Sequence, residues 1–170
     1  GNSGTDEIHY PSGLAETISI GATTENDNIA SFSNYGPTID CVAPGNDLIS
    51  TAVDGKYNRV SGTSFSAPVV SAIAGLILSN NPNYDPERIR NILKTSSVDI
   101  IYTGWDIYSG AGRVSALNAV SIPDAGILKL IEPEPNSSTA ENEVKIMATA
   151  LHPDIKNILI EYGLGKDPNF

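Results

Sequence analysis

The chain is poor in cysteine, histidine and basic residues. Its 170 residues include one cysteine, Cys41, and two histidines. A single thiol excludes an internal disulfide, and its place in the apolar run 41–43 predicts a buried, inert side chain. With 10 basic and 20 acidic residues, the formal charge is −10. This charge disfavours nucleic acid and anionic membrane surfaces as partners.

Long apolar segments are also missing from the sequence. It contains no apolar run of about 18 residues, so we expect no membrane-spanning segment. The first residues, Gly1-Asn2-Ser3-Gly4, lack the basic and apolar regions of a signal peptide, which leaves secretion neither shown nor excluded. A hydrophobic content of 40% permits a core for one domain, or for one domain and part of another.

Short apolar runs alternate with helical stretches between Ala15 and Val120. Residues 17–22 and 39–43 are typical of short buried strands, residues 48–51 of a further short strand, and residues 31–37 of a loop. This alternation predicts the α/β fold class, in which helices cover parallel strands.

Three helices are predicted in the same region. The first covers about residues 66–78, has no continuous polar face and is therefore expected in the centre of a domain, with Pro68 in its first turn. The second begins after Asp85, a helix cap that is followed by proline and an acidic residue. The third covers about residues 114–120.

Ser64 lies at the start of the most apolar helix, where two interpretations are open, the first being that it is a nucleophile. A serine hydroxyl needs a neighbouring base, a group that orients the base, and donors for the oxyanion. Unpaired N–H groups at a helix N-terminus provide such donors. The alternative is that Thr63, Ser64 or Ser66 only caps the helix.

The run Gly62-Thr63-Ser64-Phe65-Ser66-Ala67-Pro68 resembles the nucleophile motif of the subtilisin-like serine proteases. Four other segments resemble family segments in the same order: 10–11, 31–36, 42–45 and 110–114. The resemblance covers residues 1 to about 121. It implies the C-terminal part of a subtilisin-like parallel-sheet domain, peptide-bond hydrolysis, polypeptide substrates and an extracellular or cell-surface location.

The resemblance also implies roles for individual residues. Ser64 would be the nucleophile and Asn2 a side-chain donor of the oxyanion hole, although the short segment around Asn2 is also typical of an ordinary turn. Gly1, Gly62 and Thr63 would flank the substrate pocket. The Tyr10–Pro11 bond would be cis, whereas trans is the default for X-Pro bonds.

The sequence departs from the family pattern in its missing triad partners. The family's aspartate and histidine motifs precede the asparagine segment and are not in this chain, and His9 and His152 match neither motif. Both histidines are expected in turns or at the surface. We therefore expect the isolated chain to be inactive. A non-catalytic pseudoprotease or cell-surface binding module stays an alternative, as does a separate chain that supplies the missing half.

No cofactor or metal ligand is assigned from the sequence. Four aspartates are spread through predicted loops: Asp27, Asp40, Asp47 and Asp54. Scattered loop carboxylates are more often solvated than bound to calcium. A structural calcium ion therefore has no support in the sequence.

Composition changes near residue 122. Strand-like runs follow at residues 128–131, 143–150 and 157–162, without a helix between them. Because a sandwich of the immunoglobulin type needs about seven strands, these runs predict an incomplete one. Residues 159–168 resemble the start of the β-sandwich modules of some large secreted bacterial subtilases. The predicted division is a peptidase part over 1–121, a linker over 122–127, and an immunoglobulin- or fibronectin-like part over 128–170.

Overall fold

The computed structural model describes residues 1–122, 127–132 and 147–151. Four short strands come first, followed by three helices and then by two further strands, so the predicted alternation of strands and helices is not found. The strands are β1 (Ile20–Thr23), β2 (Cys41–Pro44), β3 (Leu48–Thr51), β4 (Tyr57–Val60), β5 (Ile127–Glu132) and β6 (Met147–Leu151). The helices are α1 (Thr63–Asn80), α2 (Pro86–Thr95) and α3 (Ala116–Ser121), with a short 3-10 helix over Val53–Gly55.

Strands β1 and β2 form the buried sheet of the domain. They pair in parallel, with Ile20 opposite Cys41 and Ala22 opposite Ala43. Nearly every residue of the pair is buried, which is typical of parallel strands covered by helices. This confirms the α/β prediction. Cys41 is fully buried, as predicted, and burial raises the pKa of its thiol to about 12.

Helix α1 packs against this sheet through one face. Its buried residues recur every three or four positions: Thr63, Ser66, Val70, Ile73 and Ile77. The opposite side, which includes Ser71 and Leu76, is exposed. Within the described residues, the sheet, α2 and α3 cover only this one side of α1. The expected place of α1 in the centre of a whole domain stays a prediction.

Length and hydropathy alone would allow α1 to cross a membrane. It has 18 residues and a mean hydropathy of 1.3, and it is the one helix in the described ranges with these properties. However, its buried face contributes to the main hydrophobic core. In addition, the Ser66 hydroxyl donates to the Ala43 carbonyl at 3.0 Å, inside that core. These contacts are those of a core helix in a globular domain.

A buried ion pair fastens α2 to the sheet. Asp40, which precedes β2, accepts hydrogen bonds from Arg90 Nη2 at 3.0 Å and from the Ser19 N–H at 2.9 Å. Arg90 also donates to the carbonyls of Ala15 and Thr17, ahead of β1. The guanidinium therefore joins α2 to the segments that lead into both parallel strands.

The end of β2 positions the start of α1. The Gly45 N–H donates to the Thr23 carbonyl at 3.0 Å, and the Gly62 N–H donates to the Gly45 carbonyl at 2.8 Å. A Cβ on Gly45 would overlap the side chains of Ser66 and Ala22. Only glycine therefore allows the sheet, this loop and the helix to approach so closely.

The antiparallel hairpin of β3 and β4 leads into α1, and β5 pairs antiparallel with β6. Strand β4 was not predicted, whereas β5 and β6 confirm strands at two of the three runs expected beyond residue 122. The third run, 157–162, lies outside the described residues. The linker and the β-sandwich part therefore stay predictions.

Candidate active site

Ser64 is the second residue of α1, and it is exposed. The helix has Gly62 at its N-cap, without a side-chain cap. The Thr63 N–H donates to Asn2 Oδ1, and the Phe65 N–H donates to the Gly62 carbonyl at 3.0 Å. Between them, the Ser64 N–H has no hydrogen-bond partner in the described part of the chain. An exposed hydroxyl thus lies beside an unpaired donor at the positive end of the helix dipole.

The side-chain amide of Asn2 is oriented by Thr63. Both the N–H and the hydroxyl of Thr63 donate to Asn2 Oδ1, each at 2.9 Å. A backbone N–H can only donate, so the atom that it contacts must be the amide oxygen. Asn2 Nδ2 then lies at the other end of the amide, and it makes no hydrogen bond among residues 1–122. This arrangement leaves a second unused N–H donor next to the residue that precedes Ser64.

Gly62 has a backbone conformation that suits glycine. Its φ of 152° lies where other residues rarely occur, and a Cβ would lie 3.6 Å from Asn2 Nδ2. Of the other residues predicted to flank the substrate pocket, Thr63 is buried with its hydroxyl on Asn2, and Gly1 is half-buried against Asn34. The predicted pocket residues thus lie around the Asn2 amide.

The segment that carries Asn2 is joined to the loop at residues 31–36. Three backbone hydrogen bonds connect them: Gly4 N–H to Phe32 O at 2.8 Å, Asn34 N–H to Gly1 O at 3.1 Å, and Tyr35 N–H to Thr5 O at 3.1 Å. Further along the chain, the Tyr10–Pro11 bond is cis, as the resemblance implied. The two segments thus form one unit beside the start of α1.

No base contacts the candidate nucleophile within the described residues. The Ser64 hydroxyl makes no hydrogen bond there. His9 is exposed, and its backbone carbonyl accepts from Ser12 and Gly13 in a turn, as expected for a turn histidine. His152 lies outside the described residues. Within the described residues the site thus has an exposed hydroxyl and two unpaired N–H donors, without a base beside the hydroxyl.

Three of the four predicted loop carboxylates have cationic partners among the described side chains. Asp27 pairs with Arg113, Asp47 with Arg59, and Asp40 with both Arg90 and Lys94. Asp40 is only 7% exposed, so the prediction of a solvated carboxylate is wrong at this position. Arg90 lies close enough to compensate the buried charge. The described residues contain no cluster of three or more potential metal-ligating side chains.

Two residues of the site escaped the sequence analysis. Thr63 was expected beside the substrate and not as the group that orients Asn2, and Asn34 was not singled out at all. Their contacts join residues 61 and 31 positions apart. The one available signal for Asn34 was its place in the run 31–36, which resembles a family segment.

Known proteins with similar sequences are proteases. The sequence profile of the Subtilase family matches residues 1–121. Halolysin from Haloferax mediterranei is 41% identical over 122 residues, which are 71% of this chain and 23% of halolysin. The cell wall-associated protease of Bacillus subtilis is 33% identical over 147 residues, covering 73% of this chain and 16% of that protein.

A solved structure gives the same result. The prenylagaramide maturation protease PagA superposes with a TM-score of 0.64 at 30% identity, over 71% of this chain and 47% of PagA. The chain thus spans less than half the length of each of these proteins. The family match covers well over half of the chain and includes both Ser64 and Asn2. The chain therefore belongs to the subtilase family.

Proposed function

We propose that this chain carries the nucleophile and the oxyanion donors of a serine endopeptidase. Ser64 attacks the carbonyl carbon of a peptide bond, while its own N–H and Asn2 Nδ2 donate to the oxygen that becomes negative. One observation carries the proposal. Ser64 is exposed and its backbone N–H is unpaired in the described ranges, and the preceding residue, Thr63, binds the oxygen of the Asn2 side-chain amide. Membership of the subtilase family supports the same chemistry.

The remaining groups of the reaction come from outside this chain in the proposal. A histidine takes the Ser64 proton and gives it to the leaving amine, and an aspartate orients that histidine. Water then attacks the acyl-enzyme, with the same histidine taking its proton and returning one to Ser64, and the acid product is released. The substrate is a polypeptide, and Gly1, Gly62 and Thr63 flank the pocket for the residue before the scissile bond. We assign no cofactor.

We also propose a domain arrangement and a cellular location for the whole protein. Residues 1–121 form the C-terminal part of the peptidase domain, residues 122–127 a linker, and residues 128–170 the start of a β-sandwich module. The antiparallel pairing of β5 and β6 supports the last assignment. The location is extracellular or at the cell surface, which the name of the Bacillus subtilis relative, a cell wall-associated protease, supports.

The test is hydrolysis of a chromogenic peptide by a full-length protein that contains this chain. We expect Ser64→Ala to reduce hydrolysis to background. Asn2→Ala should lower kcat by about 10²–10³-fold with a small change in KM, a magnitude measured on subtilisin itself, a member of the same family. Asn118→Ala, in α3, is the control and should leave kcat unchanged.

Three results would count against the proposal. Hydrolysis that persists in Ser64→Ala would remove the nucleophile. Ser64-dependent hydrolysis by residues 1–170 alone would contradict a base outside this chain. A folded full-length protein without activity would favour the non-catalytic alternative, in which the protease-like part is a scaffold.

A further inference from the structure

The side chain of Asn34 is buried behind Asn2 and is not used by the proposed chemistry. It is 6% exposed, in the loop that follows β1. Its Oδ1 accepts from the Ser3 N–H at 2.7 Å, and its Nδ2 donates to the Glu7 carbonyl at 3.2 Å. Its backbone N–H donates to the Gly1 carbonyl at 3.1 Å. These bonds hold the chain on both sides of Asn2.

Close packing accompanies the hydrogen bonds. A Cβ added to Gly1 would lie 2.6 Å from Asn34 Nδ2 and 2.8 Å from Asn34 Cγ. These distances are too short for any Cβ atom, so the Asn34 amide fills the space that a side chain at position 1 would need. The residue before Asn2 is therefore fixed by contact as well as by a hydrogen bond.

The loop that carries Asn34 is itself fastened to the sheet. The Ser33 hydroxyl accepts from the Ala22 N–H of β1 at 3.0 Å and donates to the Asn34 carbonyl at 3.2 Å. A continuous series of contacts therefore runs from β1 through Ser33 and Asn34 to the Asn2 segment. Asn2 then contacts the start of α1 through Thr63.

We infer that Asn34 is the positioning residue of the oxyanion donor. It holds the backbone at Gly1 and Ser3, so that the exposed side chain of Asn2 reaches Thr63 and directs Nδ2 away from it. The catalytic consequence rests on the proposed function, whereas the positioning is a property of the fold. The backbone bond from Asn34 holds Gly1, the residue before Asn2, and the Asn34 side chain adds a bond to Ser3, the residue after it.

Amide hydrogen exchange at Thr63 in the full-length protein tests the positioning. The Thr63 N–H is protected by its bond to Asn2 Oδ1. Asn34→Ala leaves the Ser3 N–H without its acceptor, and we expect the Thr63 amide to exchange about tenfold faster, as for the loss of one hydrogen bond. The Ile92 amide in α2 should exchange at the wild-type rate. Unchanged Thr63 exchange in folded Asn34→Ala would overturn the inference.

Two variants make this test specific. Asn118→Ala removes another asparagine, whose Nδ2 donates to the Ser96 carbonyl at 3.1 Å, and it should leave Thr63 exchange unchanged. Gly1→Ala pushes on the Asn34 amide from the other side, and it should also speed Thr63 exchange. Gly1→Ala decides the question if Asn34→Ala does not fold, because unchanged exchange in that variant would overturn the inference.

A double-mutant cycle tests the catalytic consequence. Asn34→Ala should lower kcat about tenfold with little change in KM, and it should have no further effect when Asn2 is already alanine. Multiplicative effects of the two substitutions would show that Asn34 does not act through Asn2. A wild-type protein without peptidase activity would refute the proposed function, and Thr63 exchange would still decide the role of Asn34.

Discussion

Helices α1 and α2 are adjacent in the sequence and begin in opposite ways. Helix α2 has its stabilising signals within its own sequence. Asp85 accepts from the Arg88 N–H at 2.7 Å, Pro86 is the first helical residue, Glu87 lies in the first turn and Lys94 in the last. Each of these features is a known stabiliser of a helix terminus.

Helix α1 has none of these features. Its N-cap is Gly62, its first turn has no acidic residue, and its last turn has no basic residue. Pro68 is the sixth residue of the helix, where it lacks the N–H that would donate to the Ser64 carbonyl. The prediction of Pro68 in the first turn is wrong, because the helix begins at Thr63 and not at residue 66.

The two helix starts thus differ in role: the start of α2 is stabilised by its own residues, whereas the start of α1, within the described residues, has unpaired donors beside the candidate nucleophile. At the start of α2, the Asp85 side chain accepts from the Arg88 N–H, and Pro86 has no N–H to satisfy. At the start of α1, the Thr63 N–H donates to Asn2, which lies 61 positions earlier in the sequence, and the Ser64 N–H has no partner in the described part of the chain. Local inconsistency of this kind is typical of functional sites, where other contacts compensate it.

The largest expected effect on stability separates the two helices. Ile92 of α2 is 1% exposed in the main core. We expect Ile92→Ala to lower the free energy of unfolding by about 2–5 kcal/mol, since it leaves a cavity. Ser64→Ala, at an exposed position, should change it by about 0.5 kcal/mol or less. Denaturant unfolding of both variants measures the difference. Equal losses would mean that the start of α1 is also a structural element.

A smaller effect is expected at the cap of α2. Asp85→Ala removes the acceptor of the Arg88 N–H and should lower the free energy of unfolding by about 1 kcal/mol, without changing kcat of the full-length protein. Asp85→Asn keeps a capping oxygen and is the matched control, with a loss of a few tenths of a kcal/mol. If Asp85→Ala is fully folded and nevertheless loses activity, the claim that the start of α2 serves stability alone is contradicted.

At neutral pH the smallest change is expected from the buried thiol beneath α1, whose contribution to stability depends on pH. Burial, and then the nearby Asp40, raise the pKa of Cys41 to about 12. An unfolded thiol has a pKa of about 8.5, so the contribution of Cys41 to stability is complete below about pH 8.5 and is lost as pH rises toward the folded pKa. The stability difference between wild type and Cys41→Ala should therefore narrow between neutral and alkaline pH. A constant difference would show that the folded thiol ionises normally.

The elements with local signals were predictable from sequence. Helix α2 begins at the predicted proline, and β3 has its predicted bounds, Leu48–Thr51. Strand β4 was missed, because its largely exposed residues become a strand by pairing with β3. The start of α1 was placed three residues late, since it depends on Asn2 and on the backbone conformation of Gly62.

The candidate site was predictable only where the resemblance named a residue. Ser64 and Asn2 came from family motifs, and the structure brings the Asn2 amide to the residue before Ser64. The orienting role of Thr63 and the contacts of Asn34 depend on which segments meet in three dimensions. Residue type and spacing do not predict such contacts, because serine, threonine and asparagine are also common in ordinary turns and caps.

The most direct test of the central claim is active-site labelling of a full-length protein that contains this chain. A fluorophosphonate reacts with a serine hydroxyl only where a base activates it and donors hold the resulting oxygen. We predict that mass spectrometry will find one modified residue, Ser64, and that Ser64→Ala will abolish labelling. A folded, unlabelled wild-type protein, or labelling that persists in Ser64→Ala, would contradict the assignment of the start of α1 as the catalytic site.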